Sequence, residues 1–397
     1  MRFATGVSDQ TDPAQAIQDA LRQVRNQLQG SKPDATFLFV SILYQTDWKP
    51  LLGQIREELG SPLLLGCTGG GIIGPEQEME GAPALSLAAG VLPGVKLHPF
   101  AVSPEDLAEQ REPGFWIEKI GASPMEDPVG VLLPDPFSCD AMALVRTLNA
   151  VYPKMPLIGG LASGAQQAGE NCLFFNDEVL SEGAVGALLT GNIALETIVS
   201  QGCRPIGRPY IVTKVEENVI LELAGKPATE ALQGLYNELS DADKRLARTA
   251  LLLGVVMNEY KQKFQRGDFL IRNLIGIDPD SGAIAVGDRI QAGQTIQFHV
   301  RDADTSREDL HLLLKEQAKA LSKSGLSGGL LFSCLGRGRD LYGEPHVDIR
   351  TIREALGPCP IAGFFCNGEI GPVGKQNYIH GFTSSLGLFR PRSDRPA

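Results

Sequence analysis

One order of elements occurs three times along the chain, and this repetition restricts the fold more than any other feature of the sequence. Each occurrence has a short apolar run, a helical pattern and a glycine-rich return that begins with Pro and apolar residues. The apolar runs are 37–43, 129–137 and 328–338, and the returns contain PLLLGCTGGG, MPLIGGLASGA and CPIAGFFCNGEIGP. Apolar runs bounded by turn residues are typical of buried strands. The repetition predicts a strand–helix–strand unit that was duplicated and then diverged.

The predicted fold class is α/β, with mixed sheets flanked by helices. Pro13 follows a possible cap, Asp12, and begins a helix that Gly30 ends. A segment rich in Gly, Pro and Arg at 202–210 marks a boundary, after which two helices (227–239 and 240–253) and a block of short strands are expected. We therefore predict an N-terminal module over residues 1–205 and a C-terminal module over 206–397. Whether the modules make one layered sandwich or two separate sheets is left open.

Composition excludes several classes of partner. The chain has 397 residues and a net charge of −11, with no long block of like charge, so neither nucleic acid nor an anionic membrane is expected as a partner. The first residues lack the apolar core of a signal peptide, and no apolar run has the length of a membrane span. The seven cysteines are scattered without a CxxC motif, as in a protein with reduced thiols. A cytoplasmic location is expected.

The first return, GCTGGGIIG, contains the G-x-G-x-x-G spacing of a dinucleotide site, read from Gly69. Such a site also needs a following helix for the pyrophosphate and an acidic residue at the next strand end for the ribose. PEQEMEGAP is too short and broken for that helix, and the strand at 84–92 ends without an acid. No GK[ST] follows, which excludes a P-loop. Gly69, Gly70 and Gly71 either permit close backbone approach or expose N–H groups to an anionic or carbonyl ligand.

Polar residues that can contact a ligand are concentrated after the strands of the C-terminal half. Loops at strand ends are common ligand sites in α/β proteins. The candidate ligand-binding residues there are Cys334, Arg337, Asn367, Glu369 and His380. A guanidinium such as that of Arg337 can bind a carboxylate or phosphate through two parallel hydrogen bonds. Structural roles stand as alternatives, including an inert buried thiol at Cys334 and an ion-pair or capping role for Glu369.

The histidines do not indicate a metal site. The five histidines are isolated and lack HxH, HxxxH or HExxH spacing, so no metal is expected. Haem needs only one axial histidine and a pocket, and His380 is then the candidate. A hydrogen-bonded core histidine is the structural alternative.

Long stretches of the chain resemble the FIST-domain proteins. The segment from RNLIGIDPDSG to TSREDL, then GGLLFSCLGRG and IAGFFCNGEIGPVGKQNYIHGFT, resembles the FIST C-terminal module, and PLLLGCTGGGIIG is similar to part of the N-terminal one. The resemblance implies a sensory domain that binds small ligands, with amino acids proposed, and some bacterial members resemble haem-dependent gas sensors. It implies a stand-alone bacterial type here, because both modules occupy residues from about 30 to 390 and leave no room for an output domain.

The function expected from these observations is a cytoplasmic, non-catalytic sensory protein for an amino acid or a similar small anionic metabolite. It would signal through a separate protein partner or by homo-oligomerisation. The alternatives are a thiol-dependent hydrolase or transferase, using Cys334 or Cys366 with His380, and a haem-binding gas sensor. A third possibility is an interaction protein whose cavity has no ligand.

Overall fold

The structure is a computed structural model that describes residues 1–109, 111–265, 267–321 and 325–392, with the backbone alone for 319–321. The chain forms two compact units. The larger, here called the sheet unit, contains Met1–Val199, Leu310–Ile379 and the chain from Thr383 onward. The smaller, here called the barrel unit, contains Ser200–Asp309 and His380–Phe382. The sequence-based boundary between residues 205 and 206 stays a prediction.

Helices occur in both units, and none in the described part of the chain has both the length and the apolar character needed to cross a bilayer. They are α1 (Pro13–Leu28), α2 (Trp48–Leu59), α3 (Pro104–Ala108), α4 (Pro113–Ile120), α5 (Ala141–Val151), α6 (Ala228–Glu238), α7 (Asp241–Ala250), α8 (Ala303–Leu321), α9 (Gly338–Tyr342) and α10 (Val347–Leu356), with a 3₁₀ turn at Pro124–Glu126.

Strands precede, form and follow the barrel unit along the chain. The strands before it are β1 (Arg2–Ser8), β2 (Ala35–Ser41), β3 (Leu63–Gly69), β4 (Gly71–Ile73), β5 (Glu78–Glu80), β6 (Leu85–Val91), β7 (Val95–Val102), β8 (Val129–Pro134), β9 (Leu157–Gly160), β10 (Leu173–Phe175), β11 (Glu178–Leu180), β12 (Ala184–Gly191) and β13 (Ala194–Ser200). Those of the barrel unit are β14 (Cys203–Pro205), β15 (Tyr210–Glu216), β16 (Val219–Leu223), β17 (Lys226–Pro227), β18 (Leu251–Val256), β19 (Phe269–Asp278), β20 (Ala283–Val286) and β21 (Thr295–Arg301). The last strands are β22 (Gly328–Cys334), β23 (Ile361–Cys366), β24 (Glu369–Val373), β25 (Gln376–His380) and β26 (Ser384–Arg390).

The sheet unit contains three six-stranded sheets among its described residues. Their strand orders are β1-β6-β2-β3-β10-β11, β25-β24-β9-β8-β12-β7 and β13-β26-β22-β23-β4-β5. Each sheet has one parallel pair (β2 with β3, β8 with β9, β22 with β23), and its other recorded pairings are antiparallel. At the edge of each sheet lies a two-stranded hairpin that follows the parallel pair of another sheet in the chain. The mixed α/β class predicted from the sequence is therefore confirmed.

The first Gly of each return is required by the parallel strand beside it. A Cβ atom at Gly66, Gly159 or Gly363 would lie 1.9, 1.8 and 1.8 Å from a carbonyl oxygen of the facing strand. The facing residues are Leu38, Leu132 and Leu331. No side chain fits at such a distance, so the glycine in all three returns has the same steric cause.

The sheets enclose one apolar core, and helices cover their other faces. Phe39 of β2 stacks on Phe364 at 5.2 Å and meets Phe332 edge-on at 6.0 Å between ring centroids. Val131 of the second sheet belongs to the same buried cluster. Helices α1 and α2 pack on the first sheet, α4 and α5 on the second, and α8 and α10 on the third. Burial of apolar area on both faces explains why the central strands are continuous apolar runs.

The barrel unit is built from antiparallel strands. Six strands close in the order β21-β15-β16-β20-β19-β18, because β18 pairs with both β19 and β21. The helix predicted over 240–253 ends at Ala250, and the prediction was wrong for its last residues. Leu252 and Leu253 join β18 instead, where both are buried between β19 and β21.

The first helix agrees with the sequence-based prediction. Asp12 accepts a hydrogen bond from the Gln15 backbone N–H at 2.8 Å, and Pro13 is the first helical residue. After Gly74 the chain continues into β5, so the strand pair β4–β5 stands where a dinucleotide site requires a helix. The prediction that no crossover helix follows this return is confirmed.

Candidate functional site

The three returns of the sheet unit meet at one place. The Gly70 N–H of the first return donates to the Ser163 hydroxyl of the second at 2.9 Å. The same hydroxyl donates to the Phe365 carbonyl oxygen of the third return at 2.5 Å. The second and third returns are also joined directly, because the Leu161 N–H donates to the Gly368 carbonyl at 2.9 Å. One serine therefore connects three segments that are far apart in sequence.

Close backbone packing at this junction depends on small residues. A Cβ atom at Gly70 would lie 2.5 Å from Leu335 and 3.5 Å from the Cα atom of Gly164. Gly164 has a φ of +94°, and a Cβ atom there would lie 2.5 Å from Ile42. Side chains at these two positions would separate the first return from the second.

A cavity of about 350 Å³ lies beside the junction. Its wall consists of Gly70, Gly71, Glu80, Gly81, Leu335, Arg339, Asp340 and Phe365. Two of the three predicted glycines line it, and Gly69 precedes them in the chain. The cavity wall thus combines one guanidinium group and two carboxyl groups with the bare backbone of its glycines. Such a combination of a concave surface with few polar groups is typical of a small-ligand site.

A larger hollow of about 710 Å³ lies elsewhere in the sheet unit. Four prolines (Pro124, Pro128, Pro153 and Pro156) line it together with the basic residues Lys154, Arg390 and Arg392. The Arg390 guanidinium is paired with Glu196 at 2.5 Å. None of the returns contributes glycines to its described wall, so the smaller cavity is the stronger candidate site.

Arg337, two residues before the cavity residue Arg339, forms a buried ion pair. Its guanidinium donates to both carboxylate oxygens of Asp348, at 2.8 and 2.9 Å, and to the Tyr342 hydroxyl at 2.6 Å. Arg337 and Asp348 are 0% and 1% exposed. Burial opposes ionisation of Asp348, but the Arg337 charge and the hydrogen bonds hold the pKa of that carboxyl below its ordinary value. A direct ligand contact by Arg337 stays a prediction.

Two acidic residues of β5 connect the cavity with this ion pair. Glu80 lines the cavity, and its carboxylate oxygens accept the Arg339 backbone N–H at 3.0 and 3.3 Å. Glu78, on the same face of the strand, is 3% exposed and accepts the Ile349 N–H at 2.9 Å. Its other carboxyl oxygen is buried and has no hydrogen-bond partner among the described residues. Burial, together with the charge of Asp348, raises the pKa of Glu78 to about 8.

Two thiols and a carboxyl group form a second cluster at the strand ends. The Cys366 thiol donates to Glu369 at 3.4 Å, and the Thr383 N–H donates to the other carboxyl oxygen at 3.0 Å. The Cys334 thiol also hydrogen-bonds to Glu369. Burial raises the pKa of Glu369 to about 8 and that of Cys366 well above its ordinary value. Burial therefore favours the protonated form of this carboxyl group.

The structure brings some of the predicted residues together and separates others. Cys334 and Glu369 touch, whereas Asn367 is exposed and uses its backbone N–H to bind the Leu161 carbonyl at 3.2 Å. His380 is buried and belongs to the barrel unit. Their roles as ligand contacts remain predictions.

Sequence reasoning missed Ser163 and Glu80 as site residues. Ser163 lies in the second return, so equal treatment of the three returns would have identified it. Glu80 lies in the short hairpin after the first return, 259 residues from its partner Arg339. No local pattern marks that contact.

Relatives of similar length are found in mycobacteria. An uncharacterized protein of Mycobacterium tuberculosis is 37% identical over 391 residues, which cover 98% of this chain and 100% of that protein. An uncharacterized protein of Mycobacterium bovis is 36% identical and covers 98% of this chain and 99% of its own length. A solved cyanuric acid hydrolase from A. caulinodans aligns over 98% of this chain and 100% of its own, at 8% identity and a TM-score of 0.35. That score supports no conclusion about fold or function.

Two protein-family models match the chain one after the other. The FIST N domain matches residues 34–226, and the FIST C domain matches residues 228–372. FIST domains are sensory domains in signal transduction and are thought to bind small ligands. Because both domains match in order and together cover most of its length, the chain belongs to the FIST family.

Proposed function

We propose that this protein is a sensor that binds an amino acid, or a similar small anionic metabolite, in the cavity beside the three returns. The observation that supports this most strongly is the meeting of the returns through Ser163, next to a cavity of about 350 Å³. That volume lies within the range of small-molecule sites, about 300–1,000 Å³.

The charges of the cavity wall match those of an amino acid. Arg339 supplies a guanidinium that can bind a carboxylate through two hydrogen bonds. Glu80 and Asp340 supply carboxyl groups for an ammonium group. Gly70 and Gly71 present backbone without side chains, so a ligand can approach closely there.

Arg337 acts in this proposal as a positioning residue. It precedes α9, the short helix that carries Arg339 and Asp340, and its bonds to Asp348 and Tyr342 hold the start of that helix. The thiol and carboxyl cluster around Glu369 is connected to the cavity wall through Leu335. This residue lines the cavity, and its backbone N–H donates to the carbonyl oxygen of Cys366. Direct contacts with the ligand stay predictions for four further residues, Cys334, Asn367, Glu369 and His380.

We also propose that the three strand–helix–strand units descend from one duplicated unit. This common origin is supported by the steric role that Gly66, Gly159 and Gly363 share, and by the hairpin at the edge of each of the three sheets. Signal output would pass to a separate protein or to a second copy of this chain, in keeping with the sensory role of FIST domains.

Thermal unfolding in the presence of each of the twenty amino acids tests the proposal. A ligand at one hundred times its dissociation constant stabilises the folded state by about 2.7 kcal/mol. The unfolding entropy of a unit as large as the sheet unit is about 0.6 kcal/mol/K, so the melting temperature should rise by roughly 4–5 °C. Arg339→Ala should abolish the rise, because it removes the only described cation of the cavity wall.

Arg350→Ala is the matched control. Arg350 is half-exposed, pairs with Glu344 at 2.9 Å and does not line the cavity. The proposal fails if no amino acid raises the melting temperature, or if Arg339→Ala responds to the ligand as strongly as Arg350→Ala does.

A further inference from the structure

Cys334 and Cys366 end two neighbouring parallel strands in matching positions. Cys334 is the last residue of β22, Cys366 is the last of β23, and the two are register partners. Two residues earlier, Phe332 and Phe364 are also partners, and their rings touch with centroids 5.7 Å apart. Because side chains alternate along a strand, the thiols lie on the same face as this aromatic pair.

The spacing of the two backbones suits a disulfide. Neighbouring strands lie about 4.8 Å apart, and the Cα atoms of a disulfide are usually about 4.4–6.8 Å apart. Both thiols also bind the same carboxyl group, that of Glu369, so the two sulfur atoms share one small site.

The two thiols differ in access. Cys366 is 0% exposed, and the Gly160 backbone lies against it, since a Cβ atom there would come within 2.9 Å of the sulfur. Cys334 is partly exposed. Cys334 is thus the thiol that a small oxidant reaches first.

We propose that Cys334 and Cys366 form a redox-active pair that hydrogen peroxide converts into a disulfide. In the first step the Cys334 sulfur attacks a peroxide oxygen; the S–O bond forms and the O–O bond breaks. The thiol proton of Cys334 passes to one Glu369 oxygen while the other oxygen protonates the departing hydroxide. One water leaves, and Cys334 becomes a sulfenic acid.

The second step closes the bridge. The Cys366 sulfur attacks the sulfenic sulfur of Cys334; the S–S bond forms, the S–O bond breaks, and the departing hydroxide takes the Cys366 proton as water. In total, two thiols and one hydrogen peroxide give one disulfide and two waters. The pair does not depend on the proposed ligand, so either proposal can fail without the other.

Peptide mapping of the peroxide-treated full chain tests the pair. The reduced protein is treated with hydrogen peroxide, unfolded in urea while N-ethylmaleimide blocks the remaining thiols, digested with trypsin and mapped by mass spectrometry without reduction. Cys359 shares a tryptic peptide with Cys366, so the Cys359→Ser protein is measured in parallel. The expected product is a Cys334–Cys366 bridge that dithiothreitol reverses, with the loss of two alkylatable thiols per chain.

Cys67 and Cys172 are the internal control. Both lie near each other, but Cys67 faces Leu173 in the antiparallel register, so Cys172 points to the other face of the sheet. They should remain alkylatable under the same treatment. Equal bridging of both cysteine pairs, or no Cys334–Cys366 bridge in the wild-type chain, overturns the proposal.

Three further measurements test the order of the steps. Cys366→Ser should stop at a sulfenic acid on Cys334 that dimedone traps, and a dimedone adduct elsewhere contradicts the assignment. Glu369→Gln should slow thiol loss by about 100-fold, because an amide cannot relay the proton. Faster bridging by glutathione disulfide than by peroxide at equal concentration would show that the oxidant is wrong.

Discussion

Replacing Asp348 by Asn tests the buried ion pair between Arg337 and Asp348. The amide keeps the shape of the carboxylate but leaves the Arg337 guanidinium, which is 0% exposed, without its counter-ion. The pair is held by two hydrogen bonds of 2.8 and 2.9 Å, and Ser333 also bonds to Asp348 at 3.0 Å. Breaking a buried pair by removing one partner costs about 3–5 kcal/mol of unfolding free energy.

Urea unfolding followed by tryptophan fluorescence measures this cost. Both tryptophans, Trp48 and Trp116, are buried in the sheet unit, so their emission reports that unit. Glu344→Gln is the control, because its partner Arg350 lies at 2.9 Å but both side chains are nearly half-exposed. An exposed pair contributes only about 0–1 kcal/mol.

A double variant separates the loss of charge balance from the loss of shape. Arg337→Met combined with Asp348→Leu removes both charges, and its cost should be smaller than that of Asp348→Asn alone. The reasoning is refuted if Asp348→Asn costs no more than Glu344→Gln, or if the double variant is the least stable of the three.

Three other changes have defined outcomes. Glu78 has a pKa of about 8, above its ordinary value of 4.5, so its contribution to stability is complete below pH 4.5 and is lost as the pH rises through 8. Glu78→Gln should therefore raise the unfolding free energy at pH 9 by about 2–4 kcal/mol and change little at pH 4, and urea unfolding with an unchanged pH slope would contradict this. Gly159→Ala should cost more than about 3 kcal/mol of unfolding free energy, because its Cβ atom would lie 1.8 Å from a backbone oxygen. Gly53→Ala, on the open face of α2, is the control and should stabilise the protein by about 0.5–1 kcal/mol. The steric explanation is refuted if thermal unfolding ranks the two variants in the opposite order. Ser163→Ala should cost about 1–3 kcal/mol by leaving the Gly70 N–H and a carbonyl without their partner, and a neutral result in urea unfolding would show that the returns are not held by this hydroxyl.

The sequence predicted the region of the candidate site better than its individual contacts. The glycine-rich returns pointed to Gly70 and Gly71, which line the cavity. Of the two arginines in GRGR, however, Arg337 is buried against Asp348 and Arg339 lies at the cavity. Both follow the same strand, and the direction of each side chain depends on where α9 begins and on the acidic partner that α10 supplies. Neither can be read from spacing alone.

The amino-acid sequence by itself determined the succession of strands and helices in each unit, because apolar periodicity, caps and turn residues act over a few neighbouring positions. It also determined where glycine is needed, since the returns carry it at equivalent points. Only the tertiary structure decided that each hairpin joins the sheet of another unit, that Ser163 connects three returns and that Glu80 meets Arg339. These contacts form between unpaired backbone groups and side chains that are tens to hundreds of residues apart. Backbone hydrogen bonding is the same for every sequence, so it leaves no local pattern that names the partner.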